Sequence, residues 1–168
     1  MLDIQQQVSL LKYNTLALPS TAEYFCKISS TSELCEALAW AREKQLPIIL
    51  LGGGSNIVLA GNLAGLVIHI AIPGIALTNG ELVSQEDLVS GIDSAQFERI
   101  IRVGAGENWH QLVLYTLKQG WYGLENLSLI PGLTGAAPIQ NIGAYGVELS
   151  DRFHSLEAIE LSSGDSIT

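Results

Sequence analysis

The chain has 168 residues and a formal net charge of −9, long enough for one domain or one domain plus the start of another. That acidic balance argues against nucleic-acid phosphate or an anionic membrane as the main partner, because each would repel it. An anionic small ligand stays open, since backbone dipoles rather than net charge can hold one. Cys26 and Cys35 form no CxxC and no Cys/His grouping, the pattern of two reduced thiols in a cytosolic protein. Met1 to Gln7 is polar and carries an acid, which does not make a signal peptide. The apolar runs are too short to span a bilayer.

Residues 1–12 read as a loose lead-in that becomes ordered near Leu10, followed by a turn-like Tyr13-Asn14-Thr15. Glu23 to Ile28 can form a short strand. Ser30 with Glu33 fits a capping box, and Leu34, Leu38 and Ala41 then share a helical face with Ala37 beside them. Pro47 to Leu51 is a continuous apolar run, as expected of a strand covered on both sides.

Gly52-Gly53-Gly54-Ser55-Asn56 follows at once. A dinucleotide fingerprint fails here: its third glycine would fall at Ile57, and the next element is a strand from Leu66 to Ile70. No helix N-terminus is present to hold a pyrophosphate. No lysine follows the glycines, so this is not a Walker loop. Two readings stand, a tight turn or a phosphate cradle made of loop N–H groups with Ser55 and Asn56.

Pro73-Gly74 and Asn79-Gly80 are turn signals, and the acidic stretch from Ser84 to Ser94 reads as a solvated loop or a hairpin-tip insertion. A strand resumes from Phe97 to Val103. Gly104-Ala105-Gly106 is a second partial fingerprint, but Trp109 stands where a dinucleotide motif wants glycine. A βα turn with a core-facing Trp109 is the better reading. Leu112, Val113, Thr116 and Leu117 continue at helical spacing, and Gly120 suits the residue after the helix. His110 reads as a helix-surface residue. His69 and His154 stand alone, and the three histidines show no metal-ligand spacing.

Ile130 to Gly146 is a seventeen-residue stretch without a charged side chain, holding Gly132, Gly135, Gly143, Gly146, Pro131, Pro138, Gln140 and Asn141. A core helix would not tolerate so much glycine and proline. The stretch reads as a binding loop pressed against a large ligand, where missing side chains let backbone approach closely; a glycine-rich turn between strands is the plainer possibility. Ser155 to Leu161 suggests a strand and Ser163-Gly164-Asp165 a hairpin turn, with the chain stopping inside the returning strand. This is expected of part of a longer protein. A boundary between roughly 70 and 97 would divide residues 13–72 and 73–168 into two lobes, each offering one glycine loop to an extended, doubly phosphorylated ligand.

Gly52 to Asn56, Val103 to Trp109, Gly123 to Leu127 and Ile130 to Gly146 occur in the order seen in one family. From about Tyr13 onward the chain resembles the FAD-binding portion of the UDP-N-acetylenolpyruvoylglucosamine reductases (UDP-N-acetylmuramate dehydrogenases) of peptidoglycan synthesis. The most specific run is Pro138 to Gly146, whereas Gly52 to Asn56 alone would point only to the wider FAD-domain type. The resemblance implies an α+β, two-lobed FAD-binding domain of the vanillyl-alcohol oxidase / p-cresol methylhydroxylase type.

It further implies that Gly52, Gly53, Gly54, Ser55 and Asn56 hold the pyrophosphate together with Thr134, Gly135, Ala136 and Ala137, with Ile57 also among the cofactor-binding residues. Ile139, Gln140, Asn141, Gly143, Ala144, Tyr145 and Gly146 would pass near the isoalloxazine, with Ile130 and Pro131 leading in. Some relatives carry serines at the positions of Ala136 and Ala137, so backbone N–H groups would have to suffice here. NADPH is the implied hydride donor and a nucleotide sugar the implied substrate.

The family draws its catalytic groups from an Arg in a Tyr-Arg-x-Ser motif, a proton-donating Ser and a late Glu. None has a counterpart among Arg42, Arg99, Arg102 and Arg152 or elsewhere in these residues, and the substrate domain is missing. The chain alone is therefore expected to hold FAD but not to complete the reaction. Two alternatives remain. One is another flavin oxidoreductase of this fold, although no His or Cys for covalent flavin attachment lies within 52–60. The other is a stand-alone FAD- or nucleotide-binding module.

Overall fold

The computed structural model describes residues 2–78 and 99–168. The Asn79-Gly80 turn, the acidic segment and the start of the strand expected at Phe97 lie outside the described residues.

The first half builds one mixed sheet. Strands β1 (Gln5–Ser9), β2 (Thr21–Ile28), β3 (Ile48–Leu51) and β4 (Leu63–Ile70) lie in the order β1-β2-β4-β3. β1 runs antiparallel to β2, while β2 and β3 both run parallel to β4, placing Leu51 beside His69 at its C-terminal end. Helix α1 (Thr31–Glu43) crosses between β2 and β3. Strand side chains alternate between faces. Cys26, Ile28, Leu66 and Ile68 therefore meet Leu34, Ala37, Leu38 and Ala41 of α1 in one core. Phe25, Val67 and Leu51 form another on the opposite face with Leu10 and Ala22. Burying each large aliphatic side chain contributes about 1.5–3 kcal/mol.

Three local expectations change. The lead-in is not loose: Gln5–Ser9 pairs with β2, and Leu2, Ile4 and Val8 pack against the two cores. β3 is not covered on both sides. It pairs only with β4 among the described strands, and Leu50 is 48% exposed. The cap of α1 is spread over two residues. Ser30 Oγ accepts from the Glu33 N–H (3.2 Å), but the Glu33 carboxylate reaches back to Ser29 N–H and Oγ (2.6 and 2.8 Å). Those bonds hold Glu33 below its ordinary pKa.

In the second half, β5 (Ile75–Leu77) pairs antiparallel with β6 (Ile101–Val103). Helix α2 (Trp109–Lys118) starts at Asn108, whose side chain accepts from the Gln111 N–H, and ends before Gly120 at φ +73°. Its Trp109, Leu112 and Val113 build a third core with Leu127, Ala137 and Leu149. Then come the short helix α3 (Ala137–Gln140), a hairpin of β7 (Gly143–Ala144) and β8 (Val147–Glu148), and a last hairpin of β9 (Ala158–Ile159) and β10 (Ser166–Ile167). The strand expected from Ser155 to Leu161 thus shrinks to two residues. The last hairpin rests on α1: Ile159 packs against the first core, and Arg42 Nη2 donates to Ser162 O at 2.7 Å.

Candidate cofactor-binding site

Parallel strands leave a crevice at their carboxyl ends. The loop 52–57 begins there, directly after β3, and its glycines first serve contact within the chain. A Cβ on Gly53 would lie 3.2 Å from Gly132 Cα, and one on Gly132 would lie 3.1 Å from Ser55 Oγ. The two glycine loops therefore meet backbone to backbone. Asn56 Nδ2 adds a hydrogen bond to Gln140 Oε1 at 3.1 Å, joining the loop to α3.

The second glycine run, Gly104 to Gly106, is scaffold. Gly104 N–H donates to Gly74 O (2.7 Å) and Gly106 N–H to Ile72 O (2.8 Å). A Cβ on Gly106 would fall 2.3 Å from the Ala71 carbonyl carbon. This run in turn carries the late loop: Gly135 N–H donates to Ala105 O (3.0 Å), and Thr134 N–H and Oγ1 both donate to Glu107 O (2.8 and 3.1 Å). Trp109 lies 3% exposed behind that loop, with its indole N–H on Leu127 O (2.8 Å) and its backbone N–H on Gly132 O (3.1 Å). A shallow depression is lined by Trp109, Gly132, Leu133, Ala136 and Gln140.

The free donors fall differently from expectation. The N–H groups of Thr134, Gly135, Ala136 and Ala137 already have acceptors in the chain: Glu107 O, Ala105 O, Leu133 O and Thr134 O. The expectation that they serve a phosphate meets this competing use. Among the described residues, by contrast, no N–H of residues 53–57 donates to another part of the chain. Successive unclaimed N–H groups on a glycine loop form a concavity suited to an anion. These residues fit the diphosphate of a dinucleotide.

The Asn141 amide is bonded within the chain on both its nitrogen and its oxygen. Asn141 sits at φ +39° after α3, its Nδ2 donates to Glu148 Oε2 (2.7 Å), and its Oδ1 accepts from Ser150 N–H (3.2 Å). Gly143 and Ala144 lie in β7, with Tyr145 and Gly146 at the hairpin turn. Among the described residues no hydrogen bond joins this hairpin to the 52–57 loop. Ile139 and Tyr145 are 85% and 90% exposed, and Ile57 is 37% exposed. They are apolar surfaces free of the core. Ile130 packs at the edge of the third core, and Pro131 is exposed.

Two sets of contacts near the loop carried no local sequence signal. His69, at the end of β4, packs against the Tyr13 and Phe25 rings (centroids 5.1 and 6.3 Å), and its buried Nδ1 has no partner among the described residues. Burial, with the charge of Lys27, holds its pKa below the ordinary histidine value. The Tyr13-Asn14-Thr15 turn packs directly on Gly54.

No cluster of three or more metal-ligating side chains occurs among the described residues, and no helix there is long and apolar enough to cross a membrane. The chain is 43% identical over 157 residues to the UDP-N-acetylenolpyruvoylglucosamine reductase of Ralstonia nicotianae, covering 94% of this chain and 43% of that one. It is 46% identical over 164 residues to the protein of the same name from Azoarcus sp., covering 98% and 44%. It thus spans less than half the length of these curated relatives. A crystal structure of UDP-N-acetylenolpyruvylglucosamine reductase from Thermus caldophilus shares the fold, with a TM-score of 0.70 at 24% identity over 99% of this chain and 52% of that one. Residues 22–168 match the family model described as FAD binding domain, and on that match the chain belongs to the FAD binding domain family.

Proposed function

We propose that residues 1–168 are the FAD-binding portion of an NADPH-dependent reductase that converts UDP-N-acetylglucosamine enolpyruvate to UDP-N-acetylmuramate in cytoplasmic peptidoglycan synthesis. The observation that carries the reading is the meeting of the two glycine loops at Gly53 and Gly132, beside a run of unclaimed N–H groups. The lobes proposed at 13–72 and 73–168 then each contribute one loop.

In this reading the N–H groups of residues 53–57 and the Ser55 hydroxyl bind the diphosphate. Asn56 and Gln140 tie the loops together so that both move as one wall. Thr134 to Ala137 act as a rigid wall rather than as donors. Ile139 and Tyr145 cover apolar surface and exclude water from the flavin ring. FAD, when bound, supplies the hydride chemistry between NADPH and the enolpyruvyl double bond.

Enolate charge in such a reaction needs a cationic or protonated partner, and the four arginines are engaged elsewhere. Arg42 bonds Ser162 O, Arg99 lies over Trp121, Arg102 pairs with Glu157, and Arg152 bonds Gly123 O. In this reading residues 1–168 bind the cofactor, and a substrate domain outside them supplies the acid and the cation.

Purified protein titrated with FAD is the test. A flavin absorption band that is retained on desalting and released on denaturation supports the reading, with no turnover of the enolpyruvyl substrate when NADPH is added. A folded, colourless protein that takes up no FAD overturns it.

A further inference from the structure

Gly54 is buried against a turn to which the cofactor reading gives no role. A Cβ at Gly54 would meet Tyr13 O at 2.0 Å. Thr15 N–H donates to Gly54 O at 3.0 Å, and Thr15 Oγ1 donates to the same oxygen at 3.3 Å. One carbonyl thus takes two donors from a residue thirty-nine positions earlier.

The turn that carries Thr15 is itself fixed. Asn14 is 6% exposed, and its amide makes three bonds within the turn: Nδ2 to Leu10 O (2.9 Å), Nδ2 to Leu18 O (3.1 Å), and Oδ1 from Leu18 N–H (2.9 Å). A buried polar side chain so fully satisfied holds one backbone course and excludes others. On the other flank the Tyr13 ring is held by Phe25, with centroids 4.8 Å apart.

Planarity of the trans peptide carries the consequence. A carbonyl and the N–H of the next residue point in opposite directions across the same plane. Holding Gly54 O toward Thr15 therefore aims the Ser55 N–H away from the turn. Gly132 lies beside the Ser55 side chain, where a Cβ would stand 3.1 Å from Ser55 Oγ. Without the Thr15 bonds the Gly54–Ser55 peptide plane could rotate, as glycine permits. A carbonyl oxygen would then face the position assigned to phosphate.

We propose that Thr15, on the turn fixed by Asn14, is a positioning residue that sets the Gly54–Ser55 peptide plane so that the Ser55 N–H faces the dinucleotide diphosphate. This rests on the reading of loop 52–57 as the diphosphate site. Thr15 touches no ligand itself and acts through Gly54.

The test compares wild type, Thr15→Val and Thr15→Ser by FAD titration, by ³¹P spectroscopy of bound FAD and by its visible absorption band. Valine keeps the shape and the backbone N–H but removes the hydroxyl donor. Thr15→Val is expected to weaken FAD binding about threefold to tenfold, the size of one ordinary hydrogen bond. It should move the diphosphate ³¹P resonances, leave the isoalloxazine band in place, and be rescued by Thr15→Ser. Wild-type affinity in Thr15→Val overturns the proposal, as does a shift of the flavin band with unmoved ³¹P resonances. A wild-type protein that binds no FAD removes the diphosphate reading and the proposal together, which separates that failure from the other two.

Discussion

Replacing Gly54 by alanine isolates the packing behind the loop from any ligand. Gly54 has φ +64°, and the added Cβ would stand 2.0 Å from Tyr13 O, 2.8 Å from Asn14 Cα and 2.9 Å from Tyr13 C. All three are backbone atoms of a turn fixed by the Asn14 amide, so no side chain can swing aside. Relief needs a shift of about 1.5 Å, since non-bonded heavy atoms rest near 3.5 Å. That shift breaks the Thr15 N–H and Oγ1 bonds to Gly54 O. Left-handed backbone at a residue with a Cβ costs about 1–2 kcal/mol and each lost hydrogen bond about 0.5–1.5 kcal/mol, so Gly54→Ala should lose about 2–5 kcal/mol. Gly52→Ala is the control: its nearest neighbour would be Leu133 Cδ1 at 3.8 Å, an ordinary contact. It should stay within about 1 kcal/mol of wild type. Urea unfolding without FAD measures both. Equal midpoints for the two variants would refute the packing argument.

Three further outcomes follow from buried polar groups. Trp109→Phe removes the indole donor and leaves Leu127 O unpaired in the third core, at a cost of about 1–3 kcal/mol by urea unfolding; a neutral effect would contradict that bond. His69 is held below its ordinary 6.5, so the unfolded chain takes up its proton first and stability falls as pH drops below 6.5. The thermal midpoint of wild type should fall faster than that of His69→Leu on acidification from pH 7, and parallel curves would contradict it. Burial pushes the Cys26 thiol up to about 11. Thiolate is the reactive form, so a thiol reagent should label half-exposed Cys35 first and Cys26 only after unfolding; equal native rates would overturn the burial argument.

Local pattern made α1 and α2 legible, but not the short α3, which lies in a stretch that reads as a loop. Ser30 and the spacing of Leu34, Leu38 and Ala41 mark α1, and Trp109 to Gly120 marks α2, because caps and periodicity are short-range facts. β1 escaped because its exposed residues, Gln5 to Gln7, hide the contacts of Leu2, Ile4 and Val8. The apolar run of β3 looked buried on both faces, yet apolar content does not say whether a strand lies at an edge, and Leu50 faces solvent.

Several glycines of the candidate site are places of close approach within the chain, though Gly52 and Gly146 are not. What approaches them was not legible in sequence. Gly53 meets Gly132, Gly54 meets Tyr13, and Gly135 meets Ala105, all partners set by the tertiary fold. The pairing of Asn56 with Gln140, eighty-four residues apart, has no local signature. For the same reason the N–H groups of Thr134 and Gly135 read as free in sequence, and only their neighbours in space reveal that Glu107 and Ala105 accept from them.

Amide hydrogen exchange with and without FAD tests most directly that the two glycine loops close on one dinucleotide. The N–H groups of 53–57 have no acceptor elsewhere among the described residues. They should exchange rapidly in the free protein and slow markedly once FAD is added, together with amides of the late loop around 132–140. Protection of only one loop, or of neither while FAD is demonstrably bound, would contradict the account.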